Sequence, residues 1–203
     1  MDRQIINYET NQIVVADKIS ISIITDLVEN LDIGDLEKVK IKISDFVEET
    51  RICDIRCLLY YLFSSFAQKK LEESFEVAQY IEYMLSEGIE YLSPKKNKTT
   101  IIKKTIEWLV RYFPERFLEE KNTFLTSDLI IKFIESIINI VNLSNSDTPE
   151  VDKFKQFLCK EIKFIKLDQQ DQEKLTTEKE TETEIHLDKE ESNLQEDTPE
   201  EIN

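Results

Sequence analysis

Cys53-Asp54-Ile55-Arg56-Cys57-Leu58-Leu59-Tyr60-Tyr61-Leu62-Phe63 is the stretch that decides the fold. Asp54 and Arg56 are its only charges, and the rest is apolar around every side of a helix. Such a helix belongs in the interior, because only other helices can cover all its faces. The reading places it at about Ile52 to Ala67, in the centre of the molecule. Its neighbours carry the complementary pattern. From Asp35 to about Glu49, Leu36, Val39, Ile43, Phe46 and Val47 recur at three-four spacing, with Asp35 as the N-cap and Glu37 in the first turn. A third helix is expected from Glu72 to Tyr91, closed by Ser93-Pro94, with Phe75, Ala78, Ile81, Tyr83, Leu85 and Ile89 inward.

Further out, a fourth helix spans about Thr99 to Phe113, and Pro114 is expected to begin a separate short turn containing Arg116-Phe117-Leu118. Ser127 and Asp128 open a fifth, and Thr148-Pro149 opens a sixth with Val151, Phe154, Leu158, Ile162 and Ile165 inward. Asp17 to Asn30 has both alternating and helical spacing; a helix from about Ser20 is favoured. Ile13-Val14-Val15 reads as a short strand or extended arm. The expected architecture is all-α: a bundle of six to seven antiparallel helices over 17–167, an N-terminal arm over 1–16, and a disordered acidic tail over 168–203. Two glycines and four prolines in 203 residues suit helices with short connections.

Charge supports that division. Residues 168–203 hold 14 acidic and 3 basic side chains, net −11 of the chain's −16, and no aromatic residue. Such a segment buries too little apolar surface to offset the entropy of ordering. The sign of the charge argues against nucleic-acid binding, which rests on neutralising phosphates. Lys95-Lys96-Asn97-Lys98 with Lys103-Lys104 is read as a solvated loop and helix start. No run approaches the roughly 18 apolar residues of a membrane span, and no export signal precedes the first helix. A cytoplasmic location without membrane insertion is the expectation.

The order of elements over about 35–113 resembles the ImpA N-terminal domain of TssA-type proteins, assembly factors of the bacterial type VI secretion system. The matching pieces are Asp54-Ile55-Arg56 at a long apolar helix, Leu92-Ser93-Pro94 at the end of the next, and Trp108-Leu109 further on. The family's Pro-Cys-Gly-type segment before the first helix has no counterpart here. The resemblance implies a non-enzymatic assembly protein with baseplate or sheath partners, self-association and no cofactor. It also implies that Asp54 and Arg56 organise a structural polar network. The alternative is a free-standing helical adaptor or chaperone-like binder that uses its acidic tail.

Reactive chemistry finds little support. The sole histidine, His186, lies in the tail, a poor place to hold catalytic geometry. Cys53, Cys57 and Cys159 are too few for a four-ligand zinc site and read as small core residues. Neither glycine sits in a phosphate-loop motif. Glu48-Glu49, Glu72-Glu73 and Glu119-Glu120 read as solvated helix ends. No catalytic, cofactor-binding or metal-binding residue is assigned. Asp54 and Arg56, two apart on an ideal helix, diverge by about 200° and are not expected to pair; they are read as half-solvated near the helix start, and each would need a separate partner if buried. Tyr91, Trp108 and Tyr112 are the candidate interface residues, since interfaces favour such side chains.

Overall fold

A computed structural model describes residues 12–125 and 127–170. The chain divides into two units, 1–162 and 163–203, of which the second is represented by helical residues 163–170. Among the described residues are seven α-helices: α1 (Ile21–Asp32), α2 (Leu36–Thr50), α3 (Ile55–Ala67), α4 (Leu71–Ser86), α5 (Lys98–Glu120), α6 (Asp128–Leu143) and α7 (149–170). No strand is present among them; only isolated bridges pair Val14 with Ile52 and Asp54 with Ser93. The all-α bundle expected from the sequence is the observed architecture. The expected tail lies outside the described residues, except that 168–170 prolong α7 past its expected end.

Local chemistry sets the boundaries. After α1, Gly34 takes a positive φ of 78°, and Asp35 donates its N–H back to the Asn30 carbonyl (2.9 Å), closing a glycine-terminated helix end. Asp35 then caps α2, accepting from the Lys38 N–H. Ser127 does the same for α6 through the Leu129 N–H, and Thr148 for α7 through the Val151 N–H. Gly88 ends the α4 segment, where an added Cβ would lie 2.9 Å from Met84 Sδ. The expected third helix is therefore shorter than read. Ile89–Tyr91 forms a 3₁₀ turn, and Tyr83 and Ile89 are exposed where core positions were expected.

Pro114 gives a second correction. It lies inside α5, which continues to Glu120 where a separate turn was expected. Phe113 and Phe117, both fully buried, anchor the helix on either side of the proline. Their burial outweighs the hydrogen bond that proline removes.

Helix α3 is the hub: α1, α2, α4 and α5 all pack on it, while α6 packs on α4. Ten of its thirteen residues are buried, which explains why its sequence is apolar all round. At its C-terminal end Phe66 lies among Phe113, Phe117, Phe124 and Phe133, with ring centroids 5.2–5.9 Å away. Cys53 and Cys57 are buried as expected of core thiols, and burial pushes Cys53 up to about 12. Cys159 is exposed instead, because the buried side of α7 is already taken by Phe154, Leu158 and Glu161.

Candidate functional site

Asp54 is the N-cap of α3, with extended backbone (φ −110°, ψ 130°) and a fully buried side chain. Its Oδ1 accepts from the Arg56 backbone N–H (2.8 Å) and from Arg56 Nε (3.0 Å). Its Oδ2 accepts from Arg56 Nη2 at 2.7 Å. The two residues are therefore a forked ion pair, contrary to the separation expected from helical angles. That expectation treats both as helical, whereas the extended cap swings Asp54 back over the first turn. Burial opposes the Arg56 charge, but the hydrogen bonds and charge of Asp54 outweigh it and hold the guanidinium above its ordinary value.

Three segments meet around this pair. Ser93 donates its N–H to the Cys53 carbonyl (2.7 Å), beside the Asp54–Ser93 bridge. The arm enters from the other direction: Val14 N–H donates to Arg51 O (2.8 Å), and Ala16 N–H donates to Ser93 Oγ (2.9 Å). Lys95 N–H returns a bond to Ala16 O at 2.8 Å. Further along α3, Trp108 packs edge-on against Tyr60 (centroids 4.8 Å) and Phe63 (5.3 Å). Asp54, Ser93 and Trp108, one from each of the three motif pieces in the sequence, are thus all arranged on or beside α3.

The interface candidates separate. Trp108 is half-buried and lies 5.4 Å, centroid to centroid, from Tyr112, which is 43% exposed. Tyr91 belongs to the 3₁₀ turn after α4 and makes no ring contact with either among the described residues. Trp108 and Tyr112 form one aromatic ridge on α5, and Tyr91 is elsewhere.

A second buried polar centre escaped sequence reading. Lys40 on α2, only 5% exposed, donates to Glu73 Oε2 on α4 at 2.6 Å, and the Tyr61 hydroxyl on α3 donates to Glu73 Oε1 at 2.6 Å. Lys40 Nζ also sits 5.0 Å from the centre of the Tyr61 ring. Glu73 is thus bound within the bundle where a solvated end was expected, and Glu120, buried beside Lys69 and Arg116, is a second such correction. Burial raises the Glu73 carboxyl, but the bonds from Lys40 and Tyr61 outweigh it and leave it below the usual range. Burial, reinforced by Lys70, keeps Lys40 below its ordinary value. A carboxyl depressed on folding adds stability that is present above the unfolded pKa and disappears as pH falls through the folded value. Glu73→Gln is therefore expected to cost about 1.5–3 kcal/mol at pH 7, the range for hydrogen bonds to charged groups. Urea midpoints of the two proteins should converge once pH drops below the depressed value; a gap unchanged in acid would contradict the assignment.

Among the described residues, no group of three or more His, Cys, Asp or Glu is placed to hold a metal ion. No helix among them is long and apolar enough to cross a membrane. No protein-family model, curated protein or solved structure matches this chain.

Proposed function

We propose that this protein is a non-enzymatic assembly component that works through protein contacts, in the manner of TssA-type proteins of the type VI secretion system, with baseplate or sheath proteins as partners. The observation that carries the reading is the convergence on α3: Asp54 capping it and clamping Arg56, Ser93 bridged to Asp54, and Trp108 seated on Tyr60 and Phe63. Three sequence pieces that resemble one family motif support a common origin better when they form one physical unit than when they are scattered. That unit is a rigid mount and leaves the Trp108–Tyr112 ridge facing outward as the surface that meets a partner.

Such a ridge suits binding because a large ring already held by its neighbours loses little entropy when covered. Binding of the full chain to purified baseplate and sheath subunits tests the proposal. At least one subunit is expected to bind, and Tyr112→Ser is expected to weaken it tenfold or more while leaving the thermal midpoint nearly unchanged. Binding to none of these subunits would contradict the secretion-apparatus setting, and binding indifferent to Tyr112→Ser would contradict the ridge.

A further inference from the structure

Helix α5 carries three stripes. One is its core face, one is the Trp108–Tyr112 ridge, and the third lies about a third of a turn from the ridge. This third stripe and the first two turns of α7 form the walls of a groove of about 600 Å³. Its apolar lining comes from Val110, Pro114, Val151, Phe154 and Phe157. Phe113 meets Phe154 and Phe117 meets Phe157, with centroids 6.0 Å apart in both pairs, so the two helices run in the same direction.

That register orders the charges on the rim. Glu107 on α5 and Glu150 on α7 lie toward the N-terminal end of the groove, and Arg111 and Lys153 lie about one turn further along. All four are exposed, and none of their side chains has an ion-pair or hydrogen-bond partner among the described residues. Both walls thus present an acid and then a base, leaving two negative charges at one end and two positive charges at the other. Pro114 lies on the same wall. It has no N–H, so the Val110 carbonyl lacks its usual helical donor from the following turn.

We propose that this groove binds an amphipathic helix of a partner protein. The occupant has an apolar stripe at i, i+3/i+4 and i+7, flanked by one basic and one acidic side chain about a turn apart. Both walls extend over about two helical turns, the length such a stripe needs. The rim sets the charge rule: the base of the occupant faces Glu107 and Glu150, and its acid faces Arg111 and Lys153. A helix with two acids or two bases at those places meets like charge at one end and is rejected. The proposal does not depend on the ridge or on the secretion-apparatus reading, since the groove occupies a different stripe of α5.

Selection of phage-displayed helical peptides, randomised along the stripe and its flanks, against the full chain tests it. Enriched peptides are expected to share the apolar spacing and a Lys or Arg about one turn from an Asp or Glu. The same selection against R111E/K153E, which makes the rim wholly acidic without touching a buried residue, should enrich peptides with two bases. The best wild-type peptide should bind this variant at least tenfold more weakly and bind Tyr112→Ser unchanged. Absence of enrichment, or the same peptides from both selections, would overturn the proposal. So would sedimentation showing that the chain pairs with itself and that R111E/K153E abolishes the pairing, because the occupant would then be a second copy.

Discussion

Arg56→Met should destabilise the protein by about 3–5 kcal/mol, the range for removing one partner of a buried ion pair. The geometry places the variant toward the upper end. Asp54 is fully buried, and Arg56 supplies both of the side-chain bonds that balance its charge. Without them the carboxylate keeps the Arg56 backbone N–H as its cap partner, too little for a full charge in an apolar setting. Since small domains are stable by only about 5–15 kcal/mol in total, much of the margin would go. Asp54→Asn placed in the Arg56→Met background should recover part of the loss, because a neutral amide still caps α3 and no longer strands a charge. Denaturant midpoints of the wild type, both single variants and the double variant measure the coupling. Additive effects of the two substitutions would show that the pair does not act as a unit.

Phe66→Ala should cost a further large amount, about 3–5 kcal/mol, by opening a cavity that its neighbours cannot close. Four phenylalanine rings from α5, α6 and the turn between them surround Phe66, and each is itself buried, so collapse would have to move several helices together. Phe63→Ala, on the half-buried side of the same helix, should cost clearly less. Thermal or urea unfolding of the two variants separates them; equal losses would mean that the ring cluster is not the packing centre it looks to be.

What was legible in the sequence follows from the range of the interactions. The caps at Asp35, Ser127 and Thr148 act within three residues, so Asp35 and Thr148 are legible as caps and Ser127 as the start of its helix. The burial of α3 was legible because an unbroken apolar surface has one stable environment. Asp54 and Arg56 were recognised as unusual, but their pairing was missed. A helical wheel gives the wrong angle when one residue is an extended cap. Pro114 was read as a break because the local cost of proline is visible in sequence, while the burial of Phe113 and Phe117 that overrides it is tertiary. The Lys40–Glu73 bond joins residues 33 apart, and the α5–α7 groove joins segments some 40 apart; neither leaves a periodic trace. Exposure of Tyr83, Ile89 and Cys159 was likewise set by which faces of the bundle the other helices had already filled.

Native-state hydrogen exchange, read amide by amide, tests the central role of α3 most directly. If the bundle is organised around this helix, the amides of Leu58–Phe66 should be the slowest in the protein and should open only with global unfolding. Those of α1, which contributes few buried side chains, should exchange by smaller local openings. Exchange of α3 as fast as that of α1, or through an opening well below the global unfolding free energy, would contradict the buried-hub architecture.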